Sequence, residues 1–260
     1  MREIWRDFMP IVGMRSWNPF DSIDMNYSQN TFVWLEERAK FDDKEYLYFG
    51  RSPEDGLSRQ AEAVRVLEAL SSIEPKDEMQ RRDVFDIART VFSRYLDCAI
   101  RLSELCYFGE SESADKPEMK GAMSAARGLM VCLGELLSLH DDFSLLKTLE
   151  GLKATTETSR NFEKTLKENA SGYYCRSFIA ENLRFLYLPE LDIIFDEVCR
   201  AADASATIDR ESIKMRIAEN LSRFKSTPLS DMQRITTRSQ SEILCSAAHI
   251  IKTINFRGMV

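Results

Sequence analysis

The stretch DVFDIARTVFSRYLDCAIRLSELC, residues 83 to 106, constrains this chain more than any other. It contains no glycine and no proline. Val84, Ile87, Val91, Tyr95, Cys98, Leu102 and Leu105 recur at steps of three or four, the period of a helix face. Phe85, Ala88, Phe92, Leu96 and Ala99 widen the stripe, so the helix must be covered on more than one side. A helix of this kind needs several helical neighbours, and the rest of the chain supplies candidates.

From Glu54 onward the same period persists. SPEDGLSRQAEAVRVLEALSSI offers Ser52 as N-cap and Pro53 at the first helical position, with Leu57, Ala61, Val64, Leu67 and Leu70 as its stripe. The polar stretch GESESADKP reads as a loop. After it, MKGAMSAARGLMVCLGELLSL reads as a helix whose Gly121, Ala125 and Gly128 admit a close neighbour. Residues 158 to 202 hold two helices with a break near ASGYY, and Pro189 inside the second should kink or split it. Asp209 caps a further helix, and the chain closes with SDMQRITTRSQSEILCSAAHIIKTIN, irregular at its start. With only 10 glycines and 7 prolines in 260 residues, few turns are marked. The expectation is an all-α array of seven to nine helices over residues 53 to 260. An irregular, aromatic arm over residues 1 to 52 precedes it and holds all three tryptophans.

Charge and motif content narrow the function classes. The net charge of −7 with no basic cluster excludes a nucleic-acid groove. No apolar run is long enough for a membrane span, and the N-terminus does not read as a secretory signal. No phosphate loop, dinucleotide fingerprint, nucleophile elbow, zinc-protease helix or calcium loop occurs, so no cofactor, metal or catalytic residue is expected. The six cysteines, Cys98, Cys106, Cys132, Cys175, Cys199 and Cys245, form no CxxC pair and sit among apolar residues. They read as buried, reduced thiols, which suits a reducing compartment such as the cytoplasm. His249 lies among Ala247, Ala248, Ile250 and Ile251 and reads as a core or groove residue.

HDDFSLLKTLEGL, residues 140 to 152, raises the one question of chemistry. His140 beside Asp141 and Asp142 lacks the i, i+4 spacing of a helical metal pair. The reading is a helix junction, with His140 closing one helix and an aspartate capping the next.

Three segments taken in order resemble the C-terminal all-helical domain of the α-N-acetylglucosaminidases, glycoside hydrolase family 89. The first is RRDVFDIARTVFSRYLDCAIRLSEL, through Asp83, Val84, Phe85, Asp86, Ile87, Ala88, Arg89 and Val91. The second is HDDFSLLKTLEGLKA, with Thr148 where the family tends to carry tryptophan. The third is YYCRSFIAENLRFLYLPELDIIFDE, through Tyr174, Tyr187 and Pro189. The likeness runs over residues 60 to 200. The chain departs from the family at Cys175, Arg176 and Leu191, and KENASGYY stands where the family has a Trp-Gly turn.

The resemblance implies one wall of a glycan-binding cleft. Tyr174, Tyr173, Trp34 and Trp17 would be sugar-stacking surfaces, and Asp141 and Arg176 hydroxyl partners. The implied ligand is a glycan ending in N-acetylglucosamine, and the implied partner a catalytic barrel domain or subunit. The family's two catalytic carboxylates lie on that barrel, and this chain shows no strand–helix alternation to build one. The alternative reading is a non-catalytic helical domain that docks another protein through its aromatic arm or its 173 to 195 helix.

Overall fold

The computed structural model describes residues 2–14, 53–108, 116–155, 162–171, 178–232 and 236–255. It is all-helical, with nine helices and no strand among these residues. They are α1 (Arg2–Val12), α2 (Pro53–Ser71), α3 (Glu78–Phe108), α4 (Lys116–Leu137), α5 (Leu145–Thr155) and α6 (Phe162–Ala170). Then come α7, a continuous run of Ala180–Asn182, Leu183–Tyr187 and Leu188–Ala204, followed by α8 (Arg210–Ser226) and α9 (Gln240–Thr253).

Four of them, α2, α3, α4 and α9, close into an up-and-down bundle, and side-chain bonds fix the direction of each neighbour. The Tyr95 hydroxyl in α3 donates to the Gly56 carbonyl at the start of α2, 2.9 Å away. Gln60 in α2 donates to the carbonyls of Ile251 and Ile254 at the end of α9, and Ser241 at the start of α9 donates to Ser71 at the end of α2. Glu118 near the start of α4 accepts from Asn255 beyond α9, while Glu135 near its end accepts from Arg238 before α9. Each pair is therefore antiparallel. Helix α3 is the central member, packed on α1, α2, α4 and α9. Its two stripes are buried as the periodicity requires: Val84, Phe85, Ala88, Val91, Phe92, Tyr95, Leu96, Cys98 and Ala99 are all inaccessible.

Helices α5 to α8 form an outer layer. Helix α7 crosses α4 where Gly134 leaves room for the Leu183 side chain. Helix α8 packs on α7, α6 on α8, and α5 on α6. At Pro189 the helical run continues, but not as one regular α-helix. The turn before it, Leu183–Tyr187, widens to a π-helix, which carries the proline ring past the carbonyl it would strike in a regular helix. Asn220 of α8 donates to the Leu186 carbonyl at 3.0 Å within that turn.

Several sequence expectations change in detail. Residues Arg2–Val12 of the supposed irregular arm are helix α1, whose Ile4, Phe8 and Ile11 are buried against α2 and α3. Pro10 and the aromatic composition hid this short amphipathic segment. In α2 the buried stripe is Ala63, Val66, Leu67 and Leu70, so Ala61 and Leu57 face outward. The α2 helix does begin at Pro53, while its proposed cap Ser52 lies outside the described residues. Of the two α4 glycines expected to admit a close neighbour, only Gly128 does. A Cβ there would sit 2.8 Å from Ile250 Cδ1, whereas one at Gly121 meets nothing within 4 Å.

The capping expectations divide. The Asp209 carboxylate accepts from the Ser212 amide at 3.0 Å, as its position before α8 predicts. Ser239 and Glu242 form a capping box at the start of α9. Among the cysteines, Cys98 and Cys132 are buried, Cys106 and Cys199 are half-buried, and Cys245 is exposed; all five are free thiols. Uniform burial therefore fails at Cys245. No described helix is long and apolar enough to cross a membrane.

Candidate functional site

The junction between α4 and α5 is the centre of the first candidate site. Helix α4 ends at Leu137, and the His140 amide donates to its carbonyl at 3.1 Å. Asp141–Phe143 forms a single 3-10 turn. Neither aspartate caps the next helix, which corrects the sequence reading. Ser144 takes that place through its hydroxyl and the Lys147 amide. The buried Glu181 at the start of α7 supplies the carboxylate from 36 residues away: it accepts from Ser144 Oγ at 2.6 Å and from the amides of Leu145 and Leu146 at 3.0 and 3.2 Å. The helix still begins on a negative charge, as its dipole favours, but the charge comes from another element.

Around this junction α3 presents Arg82, Phe85, Asp86 and Arg89 on successive turns. Phe143 stacks on Phe85 with ring centres 4.8 Å apart, and His140 packs on the same ring at 5.1 Å. Arg82 lies over Phe143 and pairs with Asp142 at 2.8 Å and Asp86 at 3.3 Å. Arg89 lies 4.5 Å above the Phe178 ring at the entry to α7, with its Nη2 3.5 Å from Asp86. His140 Nε2 is 3.8 Å from Glu78 Oε1, the first residue of α3. The corner thus presents guanidinium and carboxylate groups over aromatic rings of which Phe85 and Phe178 are buried and Phe143 is half-buried. The neighbouring Asp142 holds the already basic Arg82 guanidinium still more firmly protonated.

Of the sequence-derived site residues, Asp141 alone falls in the described structure. It lies in the 3-10 turn of this corner, exposed. Tyr173, Tyr174 and Arg176, directly before Phe178, lie outside the described residues, as do Trp17 and Trp34. Sequence reasoning missed Arg82, Arg89 and Glu181. The first two sit at i and i+7 on a helix read for its apolar stripe and for the family likeness, in which Arg89 was named but given no role at the site. Glu181 acts on a helix far away in sequence, which no local motif records. No group of three or more metal-ligating side chains is found among the described residues.

A second candidate is a cleft of about 560 Å³ between α4 and α9, lined by Gly128, Val131, Cys132, Arg238, Cys245, Ser246, His249 and Ile250. Its floor is apolar. One end is closed by Arg238, which donates to Glu135 at 2.8 Å, to the Glu242 carbonyl at 2.8 Å and to Ser246. Burial pushes the Cys132 thiol up to about 11, partly offset by Arg238. His249 is an exposed groove residue rather than a core one.

No protein-family model matches the chain, and no curated protein matches it. The likeness to the α-N-acetylglucosaminidases therefore rests on the quoted residues alone.

Proposed function

We propose that this chain is a non-catalytic helical domain whose α3–α5–α7 corner forms one wall of a glycan-binding cleft, completed by a catalytic barrel domain or subunit. One observation carries the reading. The three segments that resemble the helical domain of the α-N-acetylglucosaminidases are far apart in sequence, yet they meet at this corner. Arg82, Phe85 and Arg89 come from the first, His140, Asp142 and Phe143 from the second, and Phe178 and Glu181 from the third. Guanidinium and carboxylate groups beside the half-buried Phe143 ring suit a polyhydroxylated ligand, which needs donors, acceptors and some apolar surface. Tyr173, Tyr174 and Arg176 lie within five residues before Phe178 in sequence and are the candidate ligand contacts, with Asp141 in the exposed 3-10 turn of the corner. The ligand is a glycan ending in N-acetylglucosamine.

The test is turnover of a chromogenic α-N-acetylglucosaminide. The chain alone should give none, and the chain with a barrel-bearing partner should give turnover above that of the partner by itself. Turnover by the chain alone would sink the non-catalytic assignment. No gain with any partner would remove the glycosidase role.

A second reading, a helical domain that docks another protein, is favoured by a different feature. Trp5, Met9 and Val12 recur at i, i+4 and i+7 on the outer side of α1 and are 41%, 58% and 40% exposed. Such a row is the usual anchor pattern of helix-to-helix docking. If it mediates self-association, the unfolding midpoint rises with protein concentration and Trp5→Ser abolishes the rise. A midpoint independent of concentration in both proteins counts against self-association.

A further inference from the structure

The cleft between α4 and α9 holds one thiol from each helix, and their register is readable. The two helices run antiparallel, with Glu118 bonded to Asn255 at 2.7 Å at one end and Glu135 to Arg238 at 2.8 Å at the other. Between these ends the Gly128 backbone lies against Ile250. One helical turn from Gly128 toward Arg238 is Cys132. One turn from Ile250 in the same direction is Ser246, whose sequence neighbour is Cys245. Arg238, which donates to Ser246, also lines the cleft beside Cys132. Cys132 and Cys245 both line the same open space.

We propose that Cys132 and Cys245 form a disulfide on oxidation, a modification site that ties α4 to α9. A disulfide requires backbones within about 7 Å, and a glycine at the crossing is what brings two helices that close. The remaining described thiols are placed differently. Cys98 is buried in α3, Cys106 is half-buried near the end of α3, and Cys199 lies 3.6 Å from Met123 Sδ; none of the three lines the cleft.

The two thiols divide the chemistry. Cys245 is exposed and meets the oxidant, a peroxide, first. Its sulfur attacks the peroxide, the O–O bond breaks, a sulfenic acid forms on Cys245 and one water leaves. The Cys132 sulfur then attacks the Cys245 sulfur. The S–S bond forms, the S–O bond breaks, and the hydroxide leaves as a second water with the Cys132 proton. Peroxide is reduced by two electrons, and the two thiols are oxidised by two. Cys132 is only 2% exposed, so it reacts second, from the wall of the cleft that it shares with Cys245.

The experiment is peptide mapping of the full chain after hydrogen peroxide treatment, with free thiols then alkylated and digestion run without reductant. The expected product is a Cys132–Cys245 linked peptide pair, two hydrogens lighter than the separate peptides and separated again by a reductant. Cys245→Ser, an exposed and tolerated change, removes it. In Cys132→Ser the Cys245 sulfenic acid persists and is trapped by dimedone. The proposal is overturned if wild-type Cys245 is over-oxidised, or bridged to another cysteine or a second chain, while Cys132 stays fully alkylatable.

Discussion

Glu181 shows how much one side chain can settle. It is buried, and its carboxylate satisfies two backbone amides and one hydroxyl at the start of α5. Glu181→Ala strands these donors away from water, at a cost of about 2–3 kcal/mol. Chemical denaturation should read this as a lower midpoint at unchanged slope. Glu197 does comparable work between α7 and α8. It accepts from Arg200 and from the Asp209 amide at 2.7 Å, and the Arg200 guanidinium holds its carboxyl below the usual range. A carboxyl depressed in the folded state stabilises above its unfolded pKa, about 4.3, and that contribution is lost as pH falls through the folded value. Thermal melts from pH 7 down to pH 3 should therefore show a smaller loss for Glu197→Gln than for the parent. An equal loss would mean the Arg200 pair is not coupled to folding. Neither glutamate announces its role in sequence, because each caps an element other than its own.

At the scale of the helix, sequence and structure agree where packing is local and part where it is not. The doubled stripe of α3, the Asp209 cap and the irregular lead into α9 were all legible, because each depends on residues within a turn or two. The π turn in α7 was not: Pro189 signals trouble for a regular helix but does not say which distortion relieves it. The small residues of α4 were only half legible, since Gly121 and Gly128 look alike until α9 is placed. Their substitution separates them. Gly121→Ala fills open space in a helix and should stabilise by about 0.5–1 kcal/mol. Gly128→Ala must push Ile250 aside and should yield none of that gain. Ser205 provides a converse case. It closes α7 at φ 49°, in the left-handed region. Ser205→Gly should raise the melting midpoint by an amount equivalent to about 0.5–1 kcal/mol. A lower midpoint would show that the serine side chain matters more than the backbone.

At the scale of the whole molecule, an antiparallel four-helix unit carries an outer layer of α5 to α8, and the candidate corner lies where the two meet. The all-α class could be inferred from periodicity and scarce punctuation, whereas the closure of α9 against α2 and α4 could not, because it joins residues 103 to 194 positions apart. The corner was legible as three separate segments, but their convergence through Arg82, Arg89 and Glu181 needed the fold. The most direct measurement is an NMR titration of the labelled chain with N-acetylglucosamine. Binding through the proposed wall predicts saturable shifts centred on Arg82, Asp86, Asp142, Phe143 and Phe178, with the α4–α9 cleft and α1 unmoved. No saturable shift, or shifts confined to α1 or the cleft, would contradict it.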